Sequence, residues 1–154
     1  MRRLLTAVVL LSVAAAILYL RDPPWLISYT TGLRAWERAE DGTQFRWSVS
    51  HSSFFVPADA GMVLLPVSTT FGAGGDTPML VTITIDDERA ARVLLEDAQW
   101  KPVKLTLPRP GSRRVRRVDV RTSLTREDNR GVRIGELKVS SDGIDWRPCC
   151  FPDR

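Results

Sequence analysis

Val81-Thr82-Ile83-Thr84-Ile85 alternates an apolar residue with threonine at every step. Successive side chains of an extended chain point to opposite faces, so this segment builds one apolar face and one hydroxyl-bearing face. Val103-Lys104-Leu105-Thr106-Leu107 repeats the pattern and ends at Pro108, while Arg117-Val118-Asp119-Val120-Arg121 carries both valines inward. These three runs set the class: half-buried antiparallel strands.

Working outward, the same period marks strands at Phe45–Val49, Ser53–Val56, Met62–Thr70, Met79–Asp86, Ala91–Leu95, Val103–Leu107, Val115–Thr122 and Val132–Val139. In the last of these the register slips, with Val132 and Ile134 in one phase and Leu137 and Val139 in the other. Gly135 stands at the slip, where a β-bulge would re-aim the strand. Asp142-Gly143 suits a tight reversal that needs positive φ. Gly72-Ala73-Gly74-Gly75 with Pro78 reads as a flexible loop. A short helix is expected through Thr31–Glu40, behind a tether from Pro24 to Gly32. About eight short strands punctuated by turns describe an all-β antiparallel sandwich or barrel. The organisation expected is an N-terminal helix over 1–22, a tether over 23–31, the sandwich over 32–148 and a tail over 149–154.

The N-terminus carries a different signal. Met1-Arg2-Arg3 precedes an uncharged apolar run from Leu4 to Leu20, which Arg21-Asp22-Pro23-Pro24 closes. At a helical rise the run covers about 25 Å, near the short end of what spans a hydrocarbon core. Positive charge before such a run holds the N-terminus in the cytoplasm and delivers the rest of the chain across the membrane. Ala14-Ala15-Ala16 offers a signal-peptidase site, yet the run continues through Ile17-Leu18-Tyr19-Leu20. Tyr19 and Trp25 bracket the far end at headgroup level. The expectation is an uncleaved signal anchor, single-pass, with a periplasmic or extracellular domain.

Composition narrows the partners. The chain of 154 residues has a formal charge of +4, and without Arg2 and Arg3 it holds 20 basic against 18 acidic side chains. That near balance argues against a nucleic-acid partner. The two cysteines, Cys149-Cys150, are adjacent and cannot staple distant strands. An eight-membered ring disulfide and an intermolecular bridge are open to them; two thiols near a frayed tail are the plainer expectation. The single histidine, His51, lies far from both, so no metal is expected.

Few residues suggest chemistry. Glycine-rich phosphate cradles, paired metal-ligand spacings and nucleophile elbows are all missing from the sequence. His51 stands in Ser50-His51-Ser52-Ser53, but neighbours along a strand face opposite ways, so a solvated loop histidine is expected instead of a catalytic pair. Arg109, Arg113, Arg114, Arg116, Arg117 and Arg121 form the densest charge, suited to anionic lipid headgroups or an acidic polysaccharide. Asp119, between Arg117 and Arg121, offsets part of it. Trp36, Trp47, Trp100 and Trp146 are candidates for stacking on a sugar's C–H face or for filling the core. Trp47 shares a strand phase with Phe45 and Val49 and reads as core; Trp36 has no periodic partners and reads as exposed. The expected ligand contact is therefore Trp36 and Glu37 with Arg46 from the strand's other face.

Gly32-Leu33-Arg34-Ala35-Trp36-Glu37, followed by Phe45-Arg46-Trp47, resembles the opening of a β-sandwich domain found in bacterial polysaccharide-biosynthesis proteins beside glycosyltransferase or membrane modules. The turn Asp86-Asp87-Glu88, the stretch Trp100-Lys101-Pro102-Val103 and the signature Glu127-Asp128-Asn129-Arg130-Gly131-Val132 extend the likeness over Gly32 to Val139. Arg130 departs from the leucine usual before that glycine. Ser140-Ser141-Asp142-Gly143-Ile144-Asp145-Trp146 resembles the closing hairpin of galactose-binding-like sandwiches. The resemblance implies a jelly-roll sandwich in a cell-envelope, polysaccharide setting, without catalysis or cofactor.

Taken together, the expectation is a membrane-anchored, extracytoplasmic sandwich that binds envelope glycan or assists the enzymes that make it. The alternative is a structural subunit docking onto a membrane protein complex; an envelope hydrolase ranks below both. Asp128 and Arg130 are expected to form a charge network fixing the entry to Val132–Val139.

Overall fold

The computed structural model describes residues 2–70, 77–108 and 113–150. An α-helix, α1 (Arg2–Arg21), leads into a 3-10 helix over Pro24–Ser28 and then into strands. These are β1 (Thr30–Arg38), β2 (Gln44–Pro57), β3 (Met62–Ser68), β4 (Met79–Ile85), β5 (Glu88–Leu95), β6 (Lys101–Thr106), β7 (Val115–Thr122), β8 (Arg133–Gly135), β9 (Lys138–Ser140) and β10 (Arg147–Pro148). The strands pair antiparallel in the order β10-β9-β3-β8-β2-β7-β4-β5, with β1 on β2 and β6 on β3.

Two leaves arise because β2 and β3 each use both edges. Along β2, β1 takes one edge while β7 pairs with His51–Pro57 and β8 with Phe45–Trp47 on the other. Along β3, β6 takes one edge while β8 and β9 share the second. Short β8 is thus the seam between a β5-β4-β7-β2 leaf and a β6-β3-β9-β10 leaf. Phe54 and Val56 of β2, Leu65 of β3, Ile83 of β4, Leu105 of β6 and Val120 of β7 meet between the leaves in one core. Fully burying a side chain of this size contributes about 1.5–3 kcal/mol, which makes the alternating runs the main source of stability. The result is a sandwich-like antiparallel fold, as the alternation requires.

Several local expectations change. The expected helix over Thr31–Glu40 is strand β1, because β2 offers it an open edge whose hydrogen bonds outweigh local preference. The register of β1 shifts between Thr31 and Leu33, where Gly32 has φ +66°. Phe45–Val49 and Ser53–Val56 are parts of one strand, β2, whose inward phase switches between Trp47 and Ser52. Val132–Val139 divides into β8 and β9, the break following Gly135 as the phase slip requires. The β4–β5 hairpin turns on Asp86 (φ 48°) and Asp87 (φ 71°), both left-handed as a two-residue hairpin loop demands. The loop expected at Gly72–Gly75 lies outside the described residues.

The helix expected near the N-terminus is present, and Leu4, Leu5, Leu10 and Leu11 are exposed along it. Among the described residues no helix is long and apolar enough to cross a membrane. The expected tether opens instead as the 3-10 helix, with Pro24 in its first turn and Trp25 and Tyr29 exposed in edge-on contact. Just before it, Asp22 is buried and accepts hydrogen bonds from Arg113 Nε (3.2 Å) and the Arg114 amide (3.3 Å). Those bonds tie the end of α1 to the start of β7.

Candidate functional site

The structure brings together only part of the expected ligand contact. Trp36 and Arg46 are cross-strand partners, and the Arg46 guanidinium lies 5.9 Å from the Trp36 ring centroid. Trp36 is half-buried, where exposure was expected, because that guanidinium covers it. Arg46 is itself committed: Nε donates to the Arg34 carbonyl, Nη2 to the Leu33 carbonyl at 3.1 Å and Nη1 to Thr30 Oγ1 at 3.3 Å. Burial holds its pKa below the ordinary arginine value, and the carbonyls supply the polar company a partly buried cation needs. Glu37 lies on the other phase of β1 and accepts a hydrogen bond from Trp47 Nε1 at 3.1 Å. Trp36 with Arg46 and Glu37 with Trp47 are therefore two contacts on two faces.

Around Trp47 the structure builds a ladder of arginines on aromatic rings. Trp47 is 4% exposed and packs edge-on against Phe45 at 5.7 Å. Arg130 lies over Trp47 at 5.4 Å, and Arg133 lies 5.5 Å from the Phe45 ring and 5.3 Å from that of Trp100. Nη2 of Arg133 donates to Ser68 Oγ at 2.5 Å and to the Ala98 carbonyl at 3.1 Å. Cation–π contacts of this kind contribute about 0.5–2 kcal/mol each, more as water is removed. Asp128 pairs with Arg130 at 2.9 Å and accepts from the Arg130 amide at 3.2 Å, and its own carbonyl accepts from Arg34 Nη2. The next step of the chain is pinned by Ser48, whose Oγ accepts from the Val132 amide at 2.9 Å and whose carbonyl accepts from Gly131. Charges and rings here are spent on one another.

His51 sits on β2, not in a loop. Its Nε2 lies 3.1 Å from Asp119 Oδ1, which also accepts from Ser53 Oγ at 2.5 Å, while Arg117 Nε donates to Oδ2 at 2.9 Å. Burial raises the Asp119 pKa, but the bonds from Ser53, His51 and Arg117 and the charge of Arg117 outweigh it and leave the carboxyl below its ordinary value. The same bond holds Arg117 above its ordinary value. Ser53 gives its proton to Asp119 and not to the imidazole, so this trio is no nucleophile–base pair. Among the described residues no group of three or more His, Cys, Asp or Glu is placed to hold a metal ion.

Sequence reasoning missed the cleft. A depression of about 430 Å³ opens where β9 and β10 meet the end of β2, lined by Ile27, Pro57, Asp59, Ser141, Arg147 and the Cys149–Cys150 pair. That volume lies within the range of small-ligand pockets. The cysteines form a disulfide between adjacent residues, where thiols in a frayed tail were expected. Cys149 is held because β10 pairs with β9 and the Cys149 amide donates to the Leu137 carbonyl at 2.9 Å. Cys149 and Cys150 pack against the core, and Cys150 has φ +76°, a conformation L-residues rarely adopt. Nearby, Asp142 accepts from the Ile144 amide and from Ser140 Oγ, both at 2.9 Å, which holds its pKa low and shapes the Ser141–Asp145 turn. The adjacent cysteines were the visible signal; what they face depends on the β9–β10 pairing.

No protein-family profile matches the chain, and no curated protein matches it. Among solved structures it is similar to a family two carbohydrate esterase from Clostridium thermocellum in complex with cellohexaose, at 10% identity and TM-score 0.48, over 81% of this chain and 34% of that one. The chain thus spans about a third of that esterase. It is also similar to a family 35 carbohydrate binding module from an environmental isolate, at 16% identity and TM-score 0.44, over 79% of this chain and 93% of that one. The sugar-binding EclA C-terminal domain matches at 15% identity and TM-score 0.40, over 74% of each chain.

Proposed function

We propose that this chain is a non-catalytic glycan-binding sandwich, carried on an N-terminal membrane anchor outside the cytoplasm, that serves the cell envelope. The observation that carries the binding reading is the cleft at the Cys149–Cys150 disulfide. Its lining joins apolar surface from Ile27, Pro57 and the disulfide to the carboxylate of Asp59, the guanidinium of Arg147 and the hydroxyl of Ser141. A pyranose ring asks for that mixture: an apolar wall for its C–H face, and charged hydrogen-bonding groups for its hydroxyls. The engagement of Ser53 with Asp119 supports the non-catalytic reading.

The anchor is supported by the uncharged run Leu4–Leu20 behind Arg2-Arg3, and by exposed Trp25 and Tyr29 at its far end. An oxidised Cys149–Cys150 pair suits an exported domain. A glycan array probed with the full chain in neutral detergent tests the binding reading. Arg147→Ala and Asp59→Asn should each weaken a positive glycan about tenfold, as loss of a charge-assisted hydrogen bond does. Failure to bind any glycan would move the preference to a subunit docking onto a membrane protein complex. Loss of the chain from membranes on alkaline carbonate washing would refute the anchor.

A further inference from the structure

We propose that the outer face of the β2-β7-β4-β5 leaf is a second binding surface, whose occupant is an acidic polysaccharide. Directly paired residues share a face of a sheet, so the register places His51, Arg121, Thr82 and Arg92 in one row across four strands. Ser53, Asp119, Thr84 and Arg89 form the next row. Arg89 joins Arg92 on this face because the β4–β5 register shifts between Ile83 and Thr84, a bulge that lets residues three apart point the same way. The opposite phase, Val81, Ile83, Val118 and Val120, is buried in the core.

The carboxylates of Asp86, Asp87 and Asp119 are already engaged, and Glu88 at the start of β5 pairs with Ile85 in the other phase. Asp119 is held by Ser53, His51 and Arg117, Asp87 by Arg117, and Asp86 by Arg116 at 2.8 Å and the Arg117 amide at 3.0 Å. Among the described residues no ion pair or side-chain hydrogen bond engages Arg89, Arg92 or Arg121. The backbones of Arg121 and Arg92 stand two strand spacings apart, about 10 Å, with Thr82 between them. Like charges so placed repel, and a bound anion relieves that repulsion.

Three features select a polysaccharide. A guanidinium takes a carboxylate through two parallel hydrogen bonds. The hydroxyls of Thr82 and Thr84 lie among the arginines and match a ligand rich in hydroxyls. The cationic row is also remote from the anchor. Asp22 meets the start of β7, beside Pro57 at the end of β2, and His51 lies six residues back along that strand, about 20 Å away. That separation keeps the row away from the point where α1 joins the domain, whereas a chain polymer can reach it anywhere on the sheet face. This surface uses none of the residues that line the cleft.

The test is binding of the full chain in neutral detergent to alginate, with dextran, polyglutamate and phosphatidylglycerol vesicles as separate arms. Alginate should bind, weaken as salt is raised and lose about a hundredfold in Arg92→Gln/Arg121→Gln, tenfold for each charge-assisted contact. The lysine pair Arg92→Lys/Arg121→Lys should retain part of the affinity, which separates charge from folding. Unchanged alginate binding in the glutamine pair, or none at low salt, would overturn the proposal. Equal or tighter binding to polyglutamate, or vesicle binding that is lost in the Arg92→Gln/Arg121→Gln pair and so does not run through α1, would overturn the polysaccharide as occupant.

Discussion

Replacing Asp119 by alanine removes the hub of the outer sheet face. The carboxylate is nearly buried and holds three partners: Ser53 at 2.5 Å, His51 at 3.1 Å and Arg117 at 2.9 Å. All three bonds end on an ionised carboxylate, where each contributes about 1.5–3 kcal/mol, so their sum before solvent is considered reaches about 4.5–9. His51 and Arg117 are 48% and 41% exposed, however, and water replaces much of what they lose. The expected cost is about 2–3 kcal/mol at neutral pH, or a melting point lower by about 4–12 °C. The pH dependence is sharper than the magnitude. A carboxyl whose folded pKa is depressed stabilises the fold above its unfolded pKa and loses that contribution as pH falls through the folded value. Since Asp119 lies below the ordinary 3.8, its contribution to the gap between wild type and Asp119→Ala should be fully present above that value and shrink as pH falls below it. Urea denaturation at a series of pH values measures it. A gap that persists unchanged at pH 2, or none at pH 7, would refute the account of Asp119 as an ionised hub.

Trp47→Ala should cost about 3–5 kcal/mol in the same assay, since a 4%-exposed indole is lost together with the Arg130 contact and the bond to Glu37. Trp36→Ala should cost only about 1–2 kcal/mol, because its ring is half-buried under Arg46, and should leave glycan binding at the cleft intact; a large loss of binding would move the site back to Trp36. Gly61→Ala should lower both stability and glycan affinity, because the added Cβ would stand 2.3 Å from the Ser141 carbonyl oxygen at the cleft wall; calorimetry of that variant with the array-positive glycan would detect both.

The strands and their inward faces were legible because a strand buried on one side must alternate, and Val81–Ile85, Val103–Leu107 and Val118–Val120 do so without exception. Trp47 was legible as core from its phase with Phe45. The same logic gave Arg117, Asp119 and Arg121 to one face of β7. Helix or strand for Thr31–Glu40 was not legible, since β1 carries no apolar alternation and forms because β2 leaves an edge open. The cleft was not legible either. Its residues come from the 3-10 helix, the ends of β2 and β9, and β10, and no spacing in the sequence brings Ile27 near Arg147.

The sequence by itself determined an apolar N-terminal helix, an all-β antiparallel domain and the residues that point inward, because periodicity records burial residue by residue. Tertiary structure alone decided which polar residues meet: that Glu37 turns to Trp47 and not to Arg46, that Asp119 gathers His51, Ser53 and Arg117, and that a bulge in β5 leaves Arg89, Arg92 and Arg121 together. The physical reason is that strand register is set by pairing between segments far apart in the chain, and a one-residue shift sends every side chain to the other face.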